Sequence, residues 1–350
     1  MPAHASTSKN HPETGPKDVK IAVLLSTYNG EQYIEELLDS LLHQEFESWD
    51  LWVRDDGSHD NTVSLIRKFK KRLEDTDRRN RIFFIQGENI GVTSSFFTLA
   101  DAAESGYDGF AFCDQDDVWH PDKLTRAASA LSTHRASTQK NQSSREDLTN
   151  AEGPFLYHCR QWMTLADDPS VRELSPLPKR TGFGNALVQN QVVGCSMVIN
   201  AELRKLMTMA FSRYGNNVSE HIIMHDWWCY LVASAFGDIY YDSHPSITFR
   251  RHDRSSSPAT TGILQQMSRR AIALQKRSWS VKHILDQAAS FQQVYGNALS
   301  NPKKKDLLNM AVKLRKSGLF FRTGYFFSGR HYRSTRFETL VFRLLVVAGH

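Results

Sequence analysis

The sequence has no long apolar run and only four cysteines. Its apolar stretches fall far short of the ~18 residues that a membrane-spanning helix needs, and no N-terminal stretch resembles a signal peptide. The cysteines occur singly in apolar stretches, without a CxxC pair. Buried thiols in a reducing compartment are therefore favoured over disulfides or zinc ligands. These absences predict a cytoplasmic protein.

Two phosphate-binding motifs are also missing. Neither GxxxxGK[ST] nor a GxGxxG that follows a strand occurs, which argues against a P-loop or a classical dinucleotide site. The 350 residues are 40% hydrophobic and 23% charged. That composition predicts a globular protein with about two domains or one large α/β unit.

The net charge of +5 is divided unevenly along the chain. Residues 1–260 hold 27 Lys and Arg against 35 Asp and Glu, whereas residues 261–350 hold 16 against 3. The C-terminal part also interleaves aromatic with basic residues, which suits an anionic membrane surface; a basic helical cap on the core is the alternative. The predicted organisation is a disordered tail (1–18), an α/β domain (19–257, with halves 19–130 and 153–257) and a basic helical region (258–350).

The first half of the chain alternates between predicted strands and helices. Apolar runs in "KIAVLLSTYNG", "WDLWVRDDGS", "RIFFIQ" and "GFAFC" predict strands, and the segments between them show helical spacing. This order predicts a mostly parallel sheet flanked by helices, with ligands beyond the carboxyl ends of the strands. Three polar segments, 26–29, 55–58 and 114–117, should converge at that edge.

The stretch "FCDQDDVWHPDKL" places three carboxylates in one loop, at Asp114, Asp116 and Asp117. Crowded carboxylates repel one another, and a hard divalent cation such as Mg²⁺ or Mn²⁺ is the usual compensation. We expect Asp114 and Asp116 to hold the metal. Asp117 is expected to help cap a helix that starts at Pro121. Simple solvation of all three acids is the alternative.

Three motifs in the same order, "STYNG", "DDGSHDNT" and "DQDDVWHPDKL", resemble the family 2 glycosyltransferases. These are inverting enzymes of the GT-A fold that use nucleotide-diphosphate sugars. The wording "DQDDVW", with "QNQVVGCSMVIN" and "HDWW" further on, is most similar to the rhamnosyltransferase-like branch. The resemblance covers about residues 20–255.

The resemblance implies a role for each motif residue. Ser26, Tyr28, Asp56 and Asp114 would bind the nucleotide, with Tyr28 stacking on the base and Asp56 accepting from its imide N–H. Asp226 would be the catalytic base, although its position before an apolar helix also suits an N-cap. The predicted diphosphate and acceptor residues are Trp227, Trp228, Arg250, Arg251 and His252.

The segments around these residues carry their own expectations. "NALVQNQVVGCSMVINAELRKL" predicts strand, turn, strand and helix, with Gly194 letting the backbone approach a sugar. Arg250 and Arg251 could grip the diphosphate bidentately, and surface solvation is the alternative for one of them, because neighbouring residues of a strand face opposite ways. The Ser-rich stretch after Asp253 is expected to form a mobile loop.

The predicted function is an inverting, metal-dependent transfer of a sugar, with rhamnose as the candidate, to a glycan or lipid-linked hydroxyl in cell-surface polysaccharide synthesis. We expect no nucleic acid partner, a location at the inner membrane face, and a core that stays folded after truncation near Ser257. A non-catalytic sugar-nucleotide-binding protein is one alternative. A sugar-nucleotide nucleotidyltransferase is the other, but it should carry a Gly-rich, Arg-containing loop where "STYNG" stands.

Overall fold

A computed structural model describes residues 16, 18–103, 106–142, 152–165, 168, 170–251 and 280–349. Almost all of the predicted disordered tail (1–18) and the predicted mobile loop after Asp253 lie outside these residues. No helix in the described part of the chain combines the length and apolarity needed to cross a bilayer.

The first part of the chain alternates strand and helix as predicted. Its elements are β1 (Ile21–Thr27), α1 (Ile34–Leu42), β2 (Trp49–Asp55), α2 (Thr62–Glu74), β3 (Ile82–Gln86), α3 (Gly91–Ala102) and β4 (Gly109–Asp114). β1 and β2 are buried along nearly their whole length, as expected of strands covered by helices on both faces. The predicted α/β class is confirmed.

The second part is less regular. It contains β5 (Val118–Trp119), α4 (Lys123–Gln142), β6 (Phe155–Leu165), β7 (Arg172–Leu174), α5 (Phe183–Ala186), β8 (Met197–Asn200), α6 (Ala201–Tyr214), α7 (Val218–His221), α8 (His225–Phe236) and β9 (Asp238–Arg251). The strand predicted at "NALVQ" was wrong, because the short helix α5 and a loop occupy that segment. The later turn, strand and helix are confirmed.

One sheet connects both parts, in the order β3-β2-β1-β4-β8-β6-β9-β5, with β7 added beside β6. The strands β1 to β4 pair in parallel, whereas β8 runs antiparallel to both β4 and β6. β9 pairs in parallel with β6 and antiparallel with β5. The carboxyl ends of β1, β2 and β4 therefore lie at one edge, and β5 and β9 bring a second set of residues alongside.

The C-terminal region is helical, as predicted. Its helices are α9 (Val281–Tyr295), α10 (Pro302–Arg315), α11 (Leu319–Phe326) and α12 (Arg336–Ala348). The ring of Phe291 in α9 lies 5.8 Å from that of Trp228 in α8, and the Tyr295 hydroxyl donates to the Leu206 carbonyl. Because α9 covers buried residues of the sheet domain, truncation near Ser257 would expose them, and the expectation that the core stays folded without this region stays a prediction.

Candidate active site

The polar segments predicted to converge do so at the carboxyl edge of the sheet. In the strand register, Ser26 lies opposite Asp114, and Thr27 lies opposite Asp55. The Asp55 carboxylate accepts hydrogen bonds from the Thr27 hydroxyl, at 3.0 Å, and from the Ser58 amide, at 2.9 Å. Asp55 thus joins the loops after β1 and β2.

The loop after β1 is fixed by reciprocal hydrogen bonds to the loop after β2. The Asn29 amide donates to Ser58 Oγ, at 2.9 Å, and Asn29 Oδ1 accepts from the His59 amide, also at 2.9 Å. Asn29 has a positive φ of 47°, a conformation that asparagine tolerates better than most residues. The Gly30 amide donates to Thr62 Oγ1 at the start of α2. These contacts place the Tyr28 side chain at the mouth of a cleft.

Gln115, the residue between the first two acids of "DQDD", holds the same loop from the other side. Its side chain accepts from the Tyr28 amide, at 2.9 Å, and donates to the Tyr28 carbonyl, at 3.0 Å. A Cβ atom on Gly30 would overlap the Gln115 amide group, so this clamp requires glycine at position 30. The sequence analysis did not identify this role of Gln115. The glycine that ends "STYNG", Gly30, was the available signal, because it indicates that another group packs closely against the loop.

A cleft of about 520 Å³ opens beside this clamp. Tyr28 is 42% exposed there. Asp56 lines the cleft but is largely buried: it pairs with Arg54, and its Oδ2 accepts from the Ile90 and Gly91 amides at the start of α3. A base N–H would have to share these oxygens with protein donors. The cleft is lined by Tyr28, Asp56, Gly57, His59, Gln86, Gly87, Glu88 and Asn89.

Ser26 lies at the end of β1, deeper than Tyr28. Its hydroxyl donates to Ser95 Oγ in α3, at 2.7 Å. Arg54 also reaches Ser95 Oγ, at 3.5 Å. Ser26 therefore joins a polar network that runs through Arg54 to Asp56, and its predicted contact with the nucleotide stays a prediction.

The three acids of "DQDD" differ sharply in their surroundings. Burial, together with the charges of Asp116 and Asp226, raises the pKa of Asp114 to about 8. Asp117 is fully buried, and burial followed by its two acidic neighbours raises its pKa well above the usual range. Asp117 lies before β5, well ahead of the first residue of α4, so its predicted role as a helix cap was wrong.

The structure brings together a different set of candidate metal ligands from the pair, Asp114 and Asp116, that the sequence predicts. Ligand atoms of Asp114, Asp117 and Cys195 all lie within 4.8 Å of one another. Among the described residues, Asp116 is not part of this trio, although its charge acts on both neighbouring acids. Two carboxylates around a buried pocket fit a divalent cation. The partnership of Asp117 and Cys195 gave no signal in the sequence, because β8 brings Cys195 in from a distant segment.

Asp226 lies in the first turn of α8, facing the acids. Burial raises the pKa of its carboxyl group to about 6, while the Trp227 amide, the Asn190 side chain and the Gly194 amide oppose that rise. Its charge in turn raises the pKa of Asp114. The N-cap of α8 is Met224, so Asp226 does not have the alternative role of N-cap.

Gly194 packs so closely against the start of α8 that no side chain fits at this position. A Cβ atom there would lie 2.7 Å from His225 Nε2, and the His225 ring itself packs 4.1 Å from Phe96. Burial lowers the pKa of His225 to about 3, which keeps this ring neutral. Gly194 thus packs against the start of α8, and the expectation that its backbone approaches a sugar stays a prediction.

Both tryptophans of "HDWW" lie in the core. Trp228 is fully buried between α9 residues, and the Trp227 indole donates to the Ala186 carbonyl at 2.7 Å. The predicted sugar-facing role of Trp227 and Trp228 was therefore wrong. Their contribution is to anchor α8, and through it Asp226.

The two arginines at the end of β9 point to different neighbours. Arg250 pairs with Glu36 and lies 5.4 Å above the Tyr33 ring, whereas Arg251 is directed at Met163 and is half-buried. Burial lowers the pKa of Arg251. Neither arginine is fully exposed, and the predicted contact of both with a diphosphate stays a prediction. His252 lies outside the described residues.

A second cleft, of about 340 Å³, lies on the side of Arg250. It is formed where α1, β5 and the end of β9 meet. Its lining residues are Gln32, Tyr33, Glu36, Val118, Thr164, Arg172, Thr248 and Arg250. Gln115 holds Tyr28 of the first cleft, and Val118 lines the second, so both clefts border the loop that carries the three acids.

Comparison with known proteins identifies the class of protein in which this sheet edge occurs. Residues 22–171 match the family model for glycosyl transferase family 2. The dTDP-rhamnosyl transferase RfbG of Shigella flexneri is 25% identical over 269 residues, which cover 74% of this chain and 82% of RfbG. Protein CgeD of Bacillus subtilis (strain 168) is 26% identical over 205 residues, 58% of this chain and 43% of CgeD.

Among solved structures, the crystal structure of S. aureus TarS 1–349 in complex with UDP-GlcNAc is similar over 87% of this chain and 83% of that chain. The sequence identity is 14% and the TM-score 0.48. The family match and the acidic sheet edge together define a glycosyltransferase. More particularly, the chain carries a glycosyl transferase family 2 domain at residues 22–171.

Proposed function

We propose that the protein transfers a sugar from a nucleotide-diphosphate donor to an acceptor hydroxyl, in one step that inverts the anomeric carbon. The observation that carries this proposal is that the carboxylates of Asp226 and Asp114 are neighbours. They are close enough for the charge of Asp226 to raise the pKa of Asp114. A base for the acceptor and an anchor for the donor diphosphate thus meet at one point of the sheet edge.

The 520 Å³ cleft is the proposed donor site. Tyr28 would stack on the base, and the Asp56 carboxylate would accept from its imide N–H. A thymine or uracil base has such an N–H, and the similarity to a dTDP-rhamnosyl transferase makes dTDP-rhamnose the first donor to test. Arg250 lies on the far side of the acids, where its guanidinium suits a diphosphate oxygen.

The donor set around Asp114 fits a divalent cation such as Mn²⁺ or Mg²⁺, with Asp114 and Asp116 as the ligands expected from the sequence. Such an ion, when bound, neutralises charge on the departing diphosphate. Asp226 takes the proton from the acceptor hydroxyl, whose oxygen forms the new bond to the anomeric carbon as the bond to the diphosphate breaks. The second cleft, beside Arg250, is the proposed path for the acceptor.

Thermal unfolding of the full chain with a panel of dTDP-, UDP- and GDP-sugars tests this function. A ligand at about 100 times its Kd stabilises the folded state by roughly 2.7 kcal/mol. We expect dTDP-rhamnose with Mn²⁺ to raise Tm more than either compound alone. A panel in which no nucleotide sugar raises Tm would contradict the proposal, and stabilisation by a nucleoside triphosphate with a sugar 1-phosphate would favour a nucleotidyltransferase.

We further propose that α11 and α12 dock on an anionic membrane surface at the inner membrane face, where glycan acceptors on lipid carriers would be reached. Phe320 is 94% exposed, and Phe337, Leu340 and Leu344 recur on one face of α12 and are all exposed. Exposed apolar side chains in such a cluster indicate an interaction surface.

Basic residues surround this surface, although fewer are exposed than the charge count suggests. Arg336, Lys313 and Lys316 are exposed. Arg343 instead donates to the Phe326 and His331 carbonyls, and burial lowers the pKa of Arg333. Each basic side chain near an anionic leaflet contributes about 1 kcal/mol, so these three exposed ones with inserted phenylalanines suffice for reversible binding.

Sedimentation with phosphatidylglycerol vesicles tests the docking. The triple variant Phe320→Gln, Phe337→Gln, Leu344→Gln should bind at least roughly tenfold more weakly, because burying each large apolar side chain contributes about 1.5–3 kcal/mol. Leu177→Gln with Met209→Gln, which changes exposed apolar residues elsewhere, is the matched control. Equal sedimentation of both variants with wild type, or wild-type binding that is insensitive to salt, would count against docking at this surface.

A further inference from the structure

A cysteine lies in the pocket beneath the acidic loop. Cys195 belongs to a single 3-10 turn, Gly194–Ser196, that leads into β8, and its side chain is 1% exposed. Its sulfur and the carboxylates of Asp114 and Asp117 lie within 4.8 Å of one another. Ligands on opposite sides of one ion, with bonds of about 2.1–2.3 Å, are separated by about 4.2–4.6 Å. The trio therefore has nearly the dimensions of a coordination shell.

Asp117 is the second observation that points to a ligand. It is fully buried, and neither carboxylate oxygen makes a hydrogen bond of good geometry to any described residue. The Cys195 thiol and the Arg250 backbone amide face it, while Asp114 and Asp116 add negative charge. A buried, poorly paired carboxylate beside two others is strongly unfavourable unless a cation or a proton compensates it.

One buried cation among the described residues, Lys123, acts on this pocket, since its charge opposes the rise in the pKa of the Cys195 thiol. Lys123 is fully buried, but its ammonium lies 4.3 Å above the Trp119 ring and makes no hydrogen bond to the described residues. Asp114, in contrast, is partly exposed and lies at the open side of the pocket. Asp114 is therefore the member of the trio that solvent reaches, while Asp117 and Cys195 are buried.

We propose that Cys195 is a metal ligand, and that the cation site of this enzyme consists of Asp114, Asp117 and the Cys195 sulfur. A sulfur ligand favours softer divalent ions than an all-oxygen site does, so the site should bind Mn²⁺, Zn²⁺ or Cd²⁺ in preference to Mg²⁺. On binding, the thiol releases its proton to solvent as the sulfur–metal bond forms. This inference deepens the proposed function by naming the ligands of its cation, yet the binding can be measured without any sugar.

Cd²⁺ titration of the full-length protein, with a phosphine reductant, tests the inference through the ultraviolet charge-transfer absorption of a cadmium thiolate. We expect a band equivalent to one thiolate in wild type, and its loss in Cys195→Ser. Cys113→Ser is the matched control: Cys113 is equally buried and adjacent to Asp114, but is not in the trio. That variant should keep the band.

Asp117→Asn supplies the second variant, because it leaves every thiol in place. Loss of a ligand should weaken Cd²⁺ binding roughly tenfold or more, since even outer partners of metal ligands are worth 10–100-fold. Thermal unfolding of each apo variant shows whether it folds. No band in wild type, an equal band in Cys195→Ser, or unchanged Cd²⁺ affinity in folded Asp117→Asn would overturn the assignment. None of these results depends on sugar transfer, so the proposed function stands or falls separately.

Discussion

Asp226→Asn is expected to lower kcat by ~10²–10⁴-fold, the usual contribution of a general base, while leaving donor affinity unchanged. The reason is geometric: Asp226 faces the acids from the first turn of α8, whereas the proposed donor cleft is lined by the loops after β1, β2 and β3. Asparagine is close in size and can still accept from the Trp227 amide, which donates to Asp226 Oδ1 at 2.6 Å. The fold should therefore survive.

Turnover of the donor, measured together with its Kd, checks this expectation. Glu220→Gln is the matched control, because Glu220 is an exposed acid in the neighbouring helix α7. It should behave like wild type. Near wild-type kcat in Asp226→Asn would return this residue to a structural role, and a matching loss of donor affinity would place it in the donor site instead.

Asp114→Asn is expected to abolish the gain in nucleotide-diphosphate affinity that Mn²⁺ provides and to lower kcat/KM by about 10²–10³-fold. Charge stabilisation by a bound metal is worth several kcal/mol, and each 1.36 kcal/mol is tenfold in rate. Asp114 is chosen because it belongs both to the pair expected from the sequence and to the trio in the structure. Titration calorimetry with and without Mn²⁺ gives the metal-dependent part directly.

Parallel measurements on Asp116→Asn separate the two ligand sets. The sequence-based assignment predicts that Asp116→Asn loses the Mn²⁺ effect as fully as Asp114→Asn does. The trio predicts that Asp116→Asn keeps part of it, because Asp116 acts there only through its charge. Asp101→Asn, an exposed acid on α3, is the control. An undiminished Mn²⁺ effect in Asp114→Asn would exclude both sets.

The first half of the fold could be predicted because its strands are rich in apolar residues and its helices have clear amphipathic spacing. In α1, for example, Ile34, Leu37, Leu38 and Leu41 are all buried, as their spacing predicts. The polar residues after β1, β2 and β4 were placed correctly because parallel strands share one carboxyl edge.

Tertiary contacts explain the failures. Cys195 reaches Asp114 only because β8 pairs antiparallel with β4, a pairing that no local pattern specifies. Trp227 and Trp228 were misassigned because nearly all of α8 is buried: the Trp227 indole donates to the Ala186 carbonyl, and α9 covers Trp228. Local sequence shows the residue types of a site, whereas long-range packing decides which of them are accessible.

The helix that carries Asp226 is also held at its other end. The ammonium of Lys304, in α10, donates to the Ala235 carbonyl in the last turn of α8, at 2.7 Å, where a cation is favoured by the helix dipole. At a rise of 1.5 Å per residue, the helix axis advances about 14 Å from Asp226 to Ala235, the residue that Lys304 contacts. Under the proposed docking, α8 would hold Asp226 at a fixed distance from the bilayer. Acceptors would then be selected by the distance of their hydroxyl from the lipid surface.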